Sequence, residues 1–152
     1  MACPFFMPIE KLEGGTWAHP SRLPLGCGWS GHCTAPGHEG EQLEQLEDLH
    51  SCNLGYADSC RRMPPERAWD AVRFAVRANA LRTVSGNEEP AGRIELQYVC
   101  ERQHRPVEYG TLEFDAPART WLRSHGDARV QKMAECYLQV HLERRTVAVA
   151  QS

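Results

Sequence analysis

No apolar run in this chain approaches the roughly 20 residues that a bilayer-crossing helix needs, so no helical membrane span is expected. The opening MACPFFMP has no basic segment and leads into no long apolar one, which argues against a secretory signal. Positive charge is scarce over residues 1–60, where Lys11 and Arg22 stand against eight acids for a net of −6. Residues 61–152 carry fifteen basic and twelve acidic side chains, a net of +3. Neither part presents the undiluted basic stripe that phosphate backbones select, so a nucleic-acid partner is disfavoured. Also missing are Gly-x-Ser-x-Gly, a Walker loop, a dinucleotide fingerprint and His-Glu-x-x-His. With no substrate pocket or flavin site suggested either, the expectation is a binding or electron-carrying protein rather than an enzyme.

What the chain does have is seven cysteines among 152 residues. With no leader in view the expected compartment is the reducing cytoplasm. There thiols bind metal, do redox chemistry or sit buried more often than they form a disulfide framework, and an odd count argues the same way.

The sequence divides near residue 65. Residues 1–65 are rich in Gly and Pro, as in EGGTWAHPSRLPLGCGWSGHCTAPGHEG, and sustain neither a 3.6-residue nor a two-residue period, which predicts loop. One short amphipathic helix is expected in GEQLEQLEDLHSC, with Leu43, Leu46 and Leu49 at three-residue spacing and an end near Cys52. So few aliphatic side chains cannot offset the entropy of ordering such a segment, so a metal centre, apolar anchoring through Phe5, Phe6, Trp17 and Trp29, or both must hold it. Residues 66–152 alternate instead. Val72, Phe74 and Val76 face one way, as do Ile94, Leu96, Tyr98 and Cys100, followed by Leu112 and Phe114. With SGNEEPAG and RQHRP as turns, these predict a three-stranded antiparallel meander. A helix from Asp127 would cover it through Val130, Met133, Ala134, Tyr137, Leu138, His141 and Leu142, with a frayed tail TVAVAQS. The expected fold class is therefore α+β: a loop-rich cysteine section (1–65), then a sheet with a C-terminal helix (66–152).

Cys100 and Cys136 lie on or beside apolar faces and read as core thiols. Cys3, Cys27, Cys33, Cys52 and Cys60 fall in the coreless section, where ligands matter most. Their intervals, Cys27-x5-Cys33, Cys33-x18-Cys52 and Cys52-x7-Cys60, contain no Cys-x2-4-Cys knuckle of the structural zinc kind. A [4Fe-4S] cluster tolerates thiolates arriving from separate loops, and Cys3-Pro4 is a context also found beside cluster ligands. Spacing leaves three readings open: cluster, zinc, or no metal. The loop histidines His19, His32 and His38 could replace one thiolate but are not required. The Gly-rich stretch 26–31 could let backbone amides approach the sulfurs.

CPFF at the start, a lone cysteine after a Pro/Gly-rich loop, and CNLGYADSC about nineteen residues later together resemble a four-cysteine module of small bacterial proteins: Cys-Pro-aromatic, Cys, Cys-x-x-Gly-Tyr, Cys. The resemblance covers residues 3–60 and implies Cys3, Cys33, Cys52 and Cys60 as the ligands of a cluster or zinc centre, with Cys27 outside. Arg61 stands where that module commonly has proline. The resemblance does not choose between cluster and zinc; the expected function is a small iron-sulfur protein that transfers electrons, senses redox state or serves as an accessory subunit with a protein partner. The alternatives are a zinc-stabilised interaction module and a thiol enzyme or switch using Cys52 and Cys60.

Overall fold

The computed structural model describes residues 1–13, 17, 23–56, 60–77 and 92–151, apart from the side chain of Val149. The expected turn over residues 85–91, His19, and the loop positions 14–16 and 18–22 lie outside the described residues.

The second half follows its alternation. Strands β4 (Ala71–Arg77), β5 (Arg93–Arg102), β6 (Arg105–Asp115) and β7 (Thr120–Arg123) form one antiparallel sheet in chain order. Val72 pairs with Cys100, Val76 with Leu96, and Leu96 with Leu112, so the apolar residues of three strands share a face. The expected meander gains a fourth strand, β7, which is short and only partly covered and therefore carries no alternation strong enough to announce it. Gln103 and His104 turn the β5–β6 hairpin with positive φ at both residues, the handedness that matches strand twist. That conformation is disfavoured for side chains other than glycine. It is held by the Gln103 amide donating to Asp70 Oδ2 at 2.7 Å and by His104 stacking on Tyr56 at 4.1 Å.

The expectation of loop over the first section is corrected by a second sheet, β1 (Phe6–Lys11), β2 (Trp29–Cys33) and β3 (Glu41–Gln42), paired in that order. Its strands are too short to repeat a period, and a register shift between Pro8 and Glu10 breaks what alternation β1 has. Gly31 lies where a Cβ would meet the Met7 carbonyl oxygen at 2.0 Å, so only glycine lets β1 and β2 approach. Helix α1 (Leu46–Leu54) starts later than its leucine spacing implied, because Glu41 and Gln42 are taken by β3.

The C-terminal helix, α2 (Ala128–Ala150), runs through the tail expected to fray. Asp127 caps it, its Oδ1 accepting from the Arg129 amide at 2.9 Å. Its buried face adds Cys136 and Val140 to Val130, Met133, Ala134 and Leu138. This face packs against β1, β4 and β5 alike, and buried residues from both sheets form a single cluster. Ala2 and Val72 exchange backbone hydrogen bonds at 2.7 and 2.8 Å, joining the start of the chain to the edge of β4. Among the described residues no helix is long and apolar enough to cross a membrane.

Candidate metal centre

Each candidate cysteine is delivered by a defined piece of backbone. Cys3 opens a turn in which the Phe6 amide donates to the Cys3 carbonyl at 3.1 Å, with Pro4 at the position where a fixed φ favours turning. The amides of Phe5 and Phe6 then lie against the Cys3 sulfur. Cys33 ends β2, and its sulfur accepts from the Ala35 amide at 3.4 Å. Cys52 sits in the last turns of α1, where its carbonyl accepts from the Cys3 amide at 2.9 Å. Cys60 opens another turn, the Met63 amide donating to its carbonyl at 3.1 Å. The amide of Thr34 donates to Phe5 at 2.8 Å, tying the loop after Cys33 to the loop after Cys3.

These four segments converge. Cys3, Cys33, Cys52 and Cys60 line one cleft of about 360 Å³, part of it open to solvent, with Phe5, Phe6, Ala35, Leu43 and Met63 as apolar walls and Asp48, Ser51 and Arg62 as polar ones. Cys27, His32 and His38 are not part of that lining. Among the described residues no three His, Cys, Asp or Glu side chains stand together as the ligand set of a single ion.

What distinguishes the cleft thiols is their coupling to one another and the amides aimed at two of them. Burial pushes the Cys3 thiol up to about 12, the amides of Phe5 and Phe6 pull against it, and the Cys33 and Cys60 sulfurs add to the rise. Cys52 is raised chiefly by burial and then by the three other cleft sulfurs. Cys33 is also raised by burial, against the Ala35 amide and the Arg62 guanidinium. Burial and the charge that neighbouring thiolates would carry favour the protonated forms of Cys3, Cys33 and Cys52 unless a cation is present, whereas amide donors aimed at sulfur favour the thiolate that a metal would create. Burial raises the remaining thiols too, but those whose bonds are seen donate rather than accept: Cys27 donates to the Gly28 carbonyl at 3.5 Å and Cys100 to Glu108 Oε2 at 3.6 Å. Cys136 is pushed up to about 12 by burial within the α2 face. These three read as ordinary buried thiols.

In the stretch CNLGY, Asn53, Gly55 and Tyr56 each make a structural contact. The buried Asn53 side chain bonds both backbone groups of Trp29 at 2.9 Å, locking α1 to β2. Gly55 has φ +68°, and a Cβ there would meet the Met1 carbonyl oxygen at 2.0 Å. Tyr56 donates to Glu101 Oε1 at 2.7 Å, reaching the second sheet.

Sequence reading missed Arg62. Its side chain is only 6 % exposed, with Nη2 and Nη1 on Glu41 and Asp48 at 2.6 and 2.9 Å. The signal was present: no Lys or Arg occurs between residues 34 and 60, so the first cations after the acidic stretch are Arg61 and Arg62. The expected approach of amides from residues 26–31 is replaced by the amides of Phe5, Phe6 and Ala35, which lie nearer the ligating turns.

Compared with known proteins, the chain matches no family model, no curated protein and no solved structure.

Proposed function

We propose that the chain is a small iron-sulfur protein whose Cys3, Cys33, Cys52 and Cys60 hold a [4Fe-4S] cluster, serving electron transfer, redox sensing or an accessory role beside a protein partner. The observation that carries this reading is the convergence of four thiols, from four separate segments, on one largely apolar cleft. The donor set suits the group: four thiolates are the usual ligands of such a cluster, each bound to its own iron. Thiols arriving from four separate segments suit a cluster, whose irons can each take one, whereas structural zinc usually takes paired Cys-x2-4-Cys knuckles that these intervals lack. When bound, the cluster supplies reversible one-electron chemistry.

The chain's own residues supply the rest. Amides of Phe5, Phe6 and Ala35 stabilise the thiolates, as hydrogen bonds to sulfur do at such centres. Phe5, Phe6, Leu43 and Met63 restrict water, and the open part of the cleft is the side from which an electron partner reaches the site. The resemblance over residues 3–60 points to the same four ligands.

Stepwise reduction of the anaerobically purified protein, followed by electron paramagnetic resonance, tests the reading. A brown protein giving a reversible paramagnetic signal is expected. A colourless protein with one zinc per chain and no sulfide would contradict it and leave the zinc-stabilised interaction module.

A further inference from the structure

Arg62 is the one cationic side chain among the described residues lining the cleft, and it is fixed from two sides. Nε and Nη2 donate to Glu41 Oε1 at 2.9 and 2.6 Å, and Nη1 donates to Asp48 Oδ1 at 2.9 Å. Both anchors neighbour a cleft cysteine: Glu41 pairs with Cys33 across β2 and β3, and Asp48 lies one helical turn before Cys52 on α1. Arg62 itself lies within the turn that Cys60 opens. Three of the four cysteine positions are thus tied to one guanidinium. Of its five N–H donors, those three hydrogen bonds use three, leaving two.

A guanidinium so held does not need to reorganise when charge changes beside it, and the cleft walls around it are largely apolar. We propose that Arg62 is the electrostatic control of the centre: its clamped positive charge raises the reduction potential, and the Glu41 and Asp48 carboxylates trim that effect. The inference rests on the iron-sulfur reading above. The electron gained from an electrode or chemical reductant adds one negative charge to the centre, no bond is made or broken, and a nearby cation favours the reduced form. A carboxylate disfavours it. A purely structural ion pair would have no such opposite signs, since loosening the clamp from either end would disturb the cleft in the same way.

The test is a redox titration of the anaerobically purified holoprotein with iron and sulfide measured on every sample. Arg62→Met is expected to lower the midpoint potential by about 59 mV, a tenfold fall in the reduced-to-oxidised ratio at fixed ambient potential for one electron. Arg62→Lys should stay near the wild type. Glu41→Gln and Asp48→Asn, which leave the arginine in place, should each raise the potential. If Arg62→Met does not load, the two carboxylate variants carry the test alone. Unchanged potentials in loaded variants, or shifts of one sign from both ends of the clamp, would overturn the role of Arg62 while leaving the cluster reading intact. A wild-type protein without iron and sulfide would overturn the parent reading, and this inference with it.

Discussion

The two sheets reach order by different means. In the four-stranded sheet, long partners β5 and β6 place Ile94, Leu96 and Leu112 on one face, and α2 packs against the sheet with Val130 and Met133 in one buried cluster with Leu96 and Leu112. Side-chain periodicity alone specifies that arrangement. The three-stranded sheet has short strands, a register shift and glycine-dependent contact, and the end of β2, helix α1 and two turns beside it place thiols around a cleft. Its order rests on backbone bonds between turns and, under the proposed function, on the centre those thiols would hold. Apolar periodicity specifies the second half, whereas the first half adds Phe6, Leu25 and Trp29 to the shared cluster without a period and is joined by backbone bonds between its turns.

If the thiols hold the proposed metal, its removal should expose that contrast most visibly. Binding energy at such a centre is also folding energy, so chelation should speed amide hydrogen exchange in β1, β2 and α1 by orders of magnitude and leave the β5–β6 hairpin protected. Equal loss of protection in both sheets would show that the centre supports the whole chain, and no change in either would show that it supports none of it.

The single buried cluster shared by both sheets sets the limit of their independence. Met133→Ala is expected to cost about 2–5 kcal/mol, as deletion of a fully buried side chain does. Because α2 packs on β1 as well as on β4 and β5, cluster absorbance and far-ultraviolet circular dichroism should then be lost at the same denaturant concentration. Separate transitions would make the halves two folding units.

Alkaline pH sharpens the contrast within the first half. The metal-free Cys3 thiol is pushed up to about 12 by burial, above the ordinary value of about 8.5. A neutral form favoured by folding contributes its stability fully below the unfolded value and loses it as pH rises toward the folded one. Metal-free protein should therefore lose stability progressively between pH about 8.5 and about 12, and loaded protein, whose thiols are already deprotonated, should lose less. Denaturant midpoints across that range check it. Equal slopes with and without metal would remove Cys3 from the ligand set.

Smaller effects belong to the joints between the halves. Tyr56→Phe deletes a hydrogen bond to the Glu101 carboxylate and should cost about 1.5–3 kcal/mol in chemical denaturation. Asp127→Ala removes the cap of α2 and should cost about 1 kcal/mol. A Tyr56 effect well below that of Asp127 would mean that Gly55 and the Ala2–Val72 pairing hold the joint without the phenol.

The legibility of the chain divides along the same line. Val72, Phe74, Ile94, Leu96 and the Asp127-capped helix could be read because each signal is local and repeats. The residues of β1 and β2 could not, because Pro8, Gly31 and the register shift interrupt the period, and their pairing is fixed by long-range backbone bonds. The cysteine spacing left zinc and cluster open, since intervals of five, eighteen and seven residues say nothing of which turns bring sulfurs to one cleft. Arg62 could be singled out only as one of the first two cations after an acidic stretch, not paired with its partners. Its partners Glu41 and Asp48 lie twenty-one and fourteen residues away, beyond the reach of any motif.

Iron and acid-labile sulfide, measured per chain in anaerobically purified wild type, Cys33→Ser and Cys27→Ser, test the central claim most directly. The cleft lining includes the Cys33 thiol and excludes the Cys27 thiol, although both are buried and only five residues intervene. About four irons and four sulfides are expected in the wild type and in Cys27→Ser, with most of both lost in Cys33→Ser. Full iron and sulfide in Cys33→Ser, together with their loss in Cys27→Ser, would contradict the assignment.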